Sequence, residues 1–319
     1  MKNLNLETAG IHHITAIASN AKKTFDFYSR VLGLRLVKKT VNQDDTQTYH
    51  LFFGDKTGHP GMDLTFFIFL PSMQGRRGNG LVTNISLAVP ESSLPFWLKR
   101  FETLRIKNEG VSERFNKKRI VFFDSDSQQL ELVEVPKEEF EKKSDVWTTK
   151  DISKEHAIRS FYSATLNVKN ILLLDPILTS VLGYQKMEEY KNRTLYRVTS
   201  SSRAAFIEVI EDNALPFGIN AAGTIHHIAF RAKDENEQIE FTNKLNQMGL
   251  QHTTVIDRFY FKSIYFRIPA DILFEIATDG PGFTADEKAD MLGKKLALPP
   301  FLEHERAEIE SHLVPLPTL

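Results

Sequence analysis

The chain has 319 residues, of which 41% are hydrophobic and 25% charged, with a formal net charge of −1. That balance describes a globular protein long enough for two domains and a well-buried core, and it offers neither nucleic acid nor a membrane surface the charge excess that would attract it. Cysteine is absent, which excludes disulfides, thiolate nucleophiles and thiolate metal sites, so a metal must be held by His, Asp, Glu or backbone oxygen, a donor set that favours Fe(II), Mn, Co, Ni or Zn.

The opening segment MKNLNLETAG has no apolar run and no cleavage site, so no signal peptide is expected. The longest apolar stretch, Leu64 to Leu70, is strand-length and too short to cross a bilayer. A cytoplasmic protein without nucleic-acid or membrane partners is therefore expected.

The first predicted strand covers Ile11–Ser19. A helix follows over Ala21–Leu32, with Phe25, Tyr28, Val31 and Leu32 at helical spacing. Gly33 stands just past its last turn, where a left-handed residue ends a helix. Strands over Arg35–Asn42, Thr48–Gly54 and Asp63–Leu70 complete a βαβββ unit. GRRGNG at 75–80 lacks the strand–helix context of a phosphate loop and reads as a link to a second unit. There LVTNISLAVP is the strand, Leu94–Leu104 the helix, and RIVFFD and QLELVEV are later strands.

A charged connection over Pro136–Lys154 leads to a third unit opening with FYSATLNVKN, whose helix ends in SVLGYQK, an echo of RVLGLRL in the first. The fourth opens with IHHIAFRAKD, continues as a helix over Glu235–Met248, and adds strands at Thr253–Tyr260, Ser263–Ile268 and Ile272–Thr278. Phe283 to Leu319 reads as a helical, proline-punctuated tail. IHHITAIASN at 11–20 and IHHIAFRAKD at 225–234 share five of ten residues. The expected fold is thus α+β, built from four βαβββ modules.

Aligned on their ends at Asn20, Pro90, Asn170 and Asp234, the opening strands place His13, Thr83, Ser163 and His227 at one position. Only the first and fourth carry an imidazole there. Alternate residues share a face of a strand, so Thr15 faces the same way as His13, while His12 and His226 point away unless a bulge turns them. Glu275 lies in the apolar run ADILFEIATDG, where a carboxylate is costly to bury unless paired or metal-bound. Its counterpart in the first unit is read as Phe66. Two His and one Glu with open positions form the facial pattern of non-haem Fe(II) oxygenases. If all three bind one metal, modules 1 and 4 must touch.

The motifs GIHHITAIASN, GTIHHIAFRAKD and LFEIATDGPGF and the tail LGKKLALPPFLEHERAEIESHL resemble the vicinal oxygen chelate superfamily, and within it the four-module ring-cleaving dioxygenases that act on hydroquinones. The resemblance covers essentially the whole chain. It implies the glyoxalase/bleomycin resistance/extradiol dioxygenase fold, with modules paired into two half-barrels. Residues 1–145 form one sequence half (modules 1 and 2), and 155–319 the other (modules 3 and 4 with the tail), modules 1 and 4 sharing the metal.

The resemblance further implies a metal site at His13, His227 and Glu275, with Fe(II) the usual ion and Mn(II) a variant, surrounded by His12, Thr15, His226, Arg258 and Tyr265. The implied activity is ring opening of a hydroquinone or related phenol by dioxygen, in quinone detoxification or aromatic breakdown. Two other readings stay open: a glyoxalase-I-type lyase or isomerase with Zn or Ni, which would need a fourth ligand where Phe66 is read, and a non-enzymatic small-molecule binding protein. His50, His59, His156, His252, His304 and His312 join no constellation. Exposed strand edges leave a homodimer or higher homo-oligomer open.

Overall fold

A computed structural model of the protein describes residues 6–70, 72–140 and 145–316. The first five residues of the N-terminal segment, positions 141–144 of the charged connection and 317–319 of the tail lie outside the described residues.

Module 1 comprises β1 (Ile11–Ala18), α1 (Ala21–Phe25), β2 (Arg35–Asn42), β3 (Asp45–Gly54) and β4 (Asp63–Ile68). Module 2 comprises β5 (Leu81–Pro90), α2 (Leu94–Thr103), β6 (Asn108–Arg114), β7 (Lys117–Phe123) and β8 (Gln129–Val135). Module 3 has β9 (Ser160–Val168), two short helical turns, then β10 (Gln185–Tyr190), β11 (Arg193–Arg197) and β12 (Phe206–Glu211). Module 4 has β13 (Thr224–Ala232), α3 (Glu235–Gln247), β14 (Ile256–Asp257), β15 (Lys262–Arg267) and β16 (Leu273–Thr278); the tail ends in α4 (Arg306–His312).

The long first helix expected from periodicity is α-helical only to Phe25. It then widens into a π-type turn over Asp26–Val31, closed by Leu32 N–H on the Phe27 carbonyl at 3.0 Å. The RVLG and SVLG echo marks the same device twice, since Ile177–Val181 forms a matching π turn and Gly33 and Gly183 follow at φ 71° and 80°. The strand expected over Thr253–Tyr260 shrinks to the two residues of β14.

The modules pair across the chain. One eight-stranded sheet runs β14-β15-β16-β13-β1-β4-β3-β2, and the other β10-β11-β12-β9-β5-β8-β7-β6. Modules 1 and 4 thus make one curled half-barrel, modules 2 and 3 the other. The main apolar core lies outside the concave faces, between sheets and helices, and includes Phe25, Tyr28, Phe53, Phe66, Trp97, Phe101, Phe230 and Phe241. A smaller cluster of Val37, Phe52, Ala229, Tyr260, Phe261, Ala277, Phe283 and Leu292 lines the first sheet.

Strand register corrects two alignments. Ala229 lies opposite Glu275, and the equivalent Thr15 lies opposite Thr65. The counterpart of Glu275 is therefore Thr65, not Phe66, which packs outward against Tyr28 at 4.4 Å between ring centroids. In module 2 a register shift between Val82 and Asn84 leaves Thr83 as the extra, bulged residue. Asn84, not Thr83, stands where His13 stands, because end-alignment cannot see a bulge. The four equivalent positions are His13, Asn84, Ser163 and His227, and one pair over they are Thr65, Glu131, Glu208 and Glu275.

Candidate metal centre

β1 and β13 pair antiparallel at the centre of the first half-barrel, which brings the two histidine pairs together. His13 Nε2 and His227 Nε2 are 3.3 Å apart, and they lie 3.2 and 3.0 Å from Glu275 Oε2. Metal–ligand bonds of about 2.1 Å at right angles separate neighbouring donors by about 3 Å. The three donors are thus close enough together to share one metal ion. All three side chains are buried.

The carboxylate is held from one side only. Ser263 Oγ donates to Glu275 Oε1 at 2.5 Å, whereas Oε2 is buried without a hydrogen-bond partner. Burial alone would raise the Glu275 pKa, but the neighbouring His13 and His227 outweigh it and hold the carboxyl well below its usual range. His227 shifts down, chiefly because burial disfavours its charged form. An ionised carboxylate oxygen aimed at imidazole nitrogens fits a divalent cation.

The parity of His12 and His226 is resolved by two bulges. Register shifts between Ile11 and His13 and between Thr15 and Ala16 make His12 and His226 the extra residues of their strands. Each then packs beside a candidate ligand: His12 Nδ1 is 3.0 Å from His13 Nδ1, and His226 Nδ1 is 2.8 Å from His227 Nδ1.

Proton positions follow for the first pair. His12 Nε2 lies 3.0 Å from the Thr278 carbonyl, which can only accept, so His12 Nε2 carries the proton. Burial keeps His12 neutral, its pKa well below the usual value. Its Nδ1 therefore accepts from His13 Nδ1–H, and His13 Nε2 presents a lone pair toward the triangle. His226 is likewise neutral, its pKa lowered to about 3 by burial and by His227.

Thr15 has the parity expected of it, and its Oγ is 3.0 Å from His227 Nε2. Thr65 Oγ donates to Thr15 Oγ at 2.9 Å, and His50 Nε2 donates to Thr65 Oγ at 2.8 Å. His50 is the functional-site residue that sequence reasoning overlooked. It sits between the rings of Phe52 and Phe67, at 4.0 and 4.4 Å between centroids, and is kept neutral by burial. With Nε2 protonated, its Nδ1 remains an acceptor. Alternation gave no signal for it, because the neighbours of His50 on both faces of β3 are apolar or aromatic.

His13, His50, Phe52, Phe67, His227, Arg258, Phe261 and Tyr265 line a common cavity. Tyr265 lies opposite Glu275 across β15 and β16, and burial together with that carboxylate raises its pKa, so it stays a phenol. The Arg258 guanidinium is 5.6 Å from the Tyr265 ring centroid and pairs with Asp44 at 2.8 Å. Burial works against its charge, but Asp44 and the Tyr265 oxygen beside it raise its pKa above the usual value. Arg258 therefore stands as a fixed cation at the cavity wall.

Residues 10–64 match the family model described as the Glyoxalase/Bleomycin resistance protein/Dioxygenase superfamily. A provisionally named ring-cleaving dioxygenase of Bacillus subtilis, MhqA, is 37% identical over 317 residues, covering 98% of this chain and 100% of its own. The chlorohydroquinone/hydroquinone 1,2-dioxygenase of Sphingobium indicum is 30% identical, covering 97% of each chain. The chain belongs to the ring-cleaving dioxygenases of this superfamily.

A solved structure of a provisionally named dioxygenase from B. subtilis superposes with a TM-score of 0.92 at 38% identity, over 98% of both chains. Maize glyoxalase I superposes at 0.63 with 10% identity, over 85% of this chain and 92% of its own, which shows a shared fold. No helix among the described residues is long and apolar enough to cross a membrane.

Proposed function

We propose that this ring-cleaving dioxygenase depends on Fe(II), with Mn(II) a workable substitute, and opens a hydroquinone or related small phenol. The observation that carries the reading is the convergence of two imidazole nitrogens and an unpartnered carboxylate oxygen on one side of an aromatic-lined cavity. The substrates named for the Sphingobium relative support the hydroquinone class.

His13, His227 and Glu275 would hold the metal, and His12 and His226 would fix the two imidazoles with their lone pairs inward. Bound there, Fe(II) supplies a Lewis acid for the phenol oxygen and a redox centre for dioxygen. The chain's own residues do the rest. Phe52, Phe67 and Phe261 give an aromatic ring an apolar berth. Arg258 attracts the phenolate and offsets charge that develops during ring opening. Tyr265, held as a neutral phenol, donates a hydrogen bond and can return a proton, while His50 Nδ1 can accept one. The apolar cluster that includes Val37, Phe52, Ala229, Phe261 and Ala277 limits water.

A glyoxalase-type isomerase on this scaffold would take a fourth protein ligand, and Thr65 occupies that position with its hydroxyl engaged by His50 and Thr15. The test is anaerobic loading with Fe(II), then oxygen uptake with methylhydroquinone and, in parallel, catechol. One oxygen consumed per ring, with an open-chain product, is expected for methylhydroquinone. Absence of uptake from a protein that retains one Zn or Ni would overturn the reading in favour of the isomerase.

A further inference from the structure

GRRGNG, which the metal centre does not use, closes over the concave face of the other half-barrel. Its glycines allow two loops to meet: a Cβ at Gly75 would lie 2.7 Å from Thr224 Cγ2, and one at Gly78 only 2.4 Å from the Pro216 carbonyl oxygen. Backbone bonds zip the segment in place, from Gly75 N–H to Ala222 O at 2.8 Å, Arg76 N–H to Ile219 O at 3.1 Å and Asn79 N–H to Pro216 O at 3.0 Å. Arg76 and Arg77 are thereby presented at a cleft of about 630 Å³, also lined by Asn84, Glu131, Thr165 and Arg193. That volume lies within the range of about 300–1,000 Å³ common to small-molecule sites.

The cleft is positive and has unmet hydrogen-bonding capacity. Glu131, its acid, is already engaged by Arg114 at 2.9 Å and Arg119 at 3.0 Å. Arg76 and Arg77 form no ion pair among the described residues; they bond only to the Phe217 carbonyl and to Gln129. Ser86 Oγ donates to Glu131 at 2.9 Å and so accepts from the Asn84 amide at 3.1 Å, which fixes the orientation of that amide. Asn84 Oδ1 is left unpartnered although the residue is only 2% exposed, and Thr165 Oγ is unpartnered at 1%. Paired arginines ask for an anion, and an orphaned acceptor beside an orphaned hydroxyl asks for a ligand hydroxyl.

We propose that this cleft, between GRRGNG and the concave face of modules 2 and 3, binds a small hydroxylated anion, a hydroxycarboxylate or a hydroxylated phosphate ester. The arginines hold the anionic group, and Asn84 and Thr165 receive the hydroxyl.

Isothermal titration of the full chain with malate, glycerol 3-phosphate and succinate tests this. Saturable one-to-one binding of malate or glycerol 3-phosphate is expected, the tighter of the two identifying the anionic group. Succinate, which lacks the hydroxyl, should bind more weakly than malate. Arg77→Ala, at an exposed position, should weaken binding about tenfold or more, and Thr165→Val should narrow the gap between malate and succinate. His13→Ala should leave the affinity unchanged, because the anion is not at the metal centre. The proposal fails if neither hydroxylated anion binds saturably, if Arg77→Ala binds like the parent, if succinate equals malate, or if His13→Ala abolishes binding.

Discussion

At four equivalent places the sheet of modules 1 and 4 carries His13, Thr65, His227 and Glu275, while the sheet of modules 2 and 3 carries Asn84, Glu131, Ser163 and Glu208. In the first, one carboxylate faces two imidazoles and keeps an unpartnered oxygen. In the second, Arg114 reaches across to both carboxylates, 2.9 Å from Glu131 and 3.0 Å from Glu208, with Arg119 and Arg193 completing the set. One half-barrel thus leaves a carboxylate oxygen open to a cation, and the other has built its own cations from side chains. A buried carboxylate demands a positive partner in either case; which partner it receives separates a reactive centre from a structural one.

The largest effects should come from removing the carboxylate on each side. Glu275→Ala is expected to lose bound metal and ring-opening activity together, as read by elemental analysis and oxygen uptake. Glu131→Ala should keep both, yet lose about 3–5 kcal/mol of stability in denaturant unfolding, because it strands the buried Arg119 without its counter-charge while Arg114 keeps only Glu208. Metal loss in Glu131→Ala, or full metal in Glu275→Ala, would break the comparison. Next in size is Tyr265→Phe, which removes a proton donor but no ligand: metal content should be unchanged and turnover should fall about 100-fold. A variant that instead loses metal would place Tyr265 among the supports of Glu275.

Much of this contrast can be read from the chain. The repeated His-His pair and a glutamate inside an apolar strand are anomalies that periodicity exposes, and the βαβββ order follows from helix and strand spacing. What stayed hidden depends on pairing between strands distant in sequence. The bulges at His12 and His226 exist only because β1 and β13 meet. Thr65 and Asn84 emerge only from register, which alignment on strand ends misjudges by one residue. His50 lies in TYHLFFG, where both faces of the strand are apolar or aromatic, so alternation does not single it out. Arg114 lies 94 residues from Glu208, and no local pattern announces their bond.

The outer histidines allow a finer test. His12→Phe removes the acceptor that fixes His13, so metal affinity should drop about 10–100-fold, measured by competition with a chromophoric chelator. A drop of that size with normal thermal stability would assign His12 to orienting the ligand rather than to packing.

The smallest effect separates the halves by acid. His12, His50, His226 and His227 all have folded pKa values below the ordinary 6.5, with burial the leading cause. Below that value the unfolded chain binds protons that the folded chain refuses, so stability falls as pH falls, and for His226 the loss continues toward about pH 3. Each such histidine contributes a slope of up to about 1.4 kcal/mol per pH unit. β5 and β9 carry no histidine. In the metal-free protein, hydrogen exchange corrected for intrinsic rates should therefore show β1 and β13 opening more readily between pH 6.5 and 5, while β5 and β9 hold. His226→Phe should flatten the slope of β13 by up to about 1.4 kcal/mol per unit. Equal acid sensitivity in both half-barrels would mean that the buried imidazoles of the first do not control its opening.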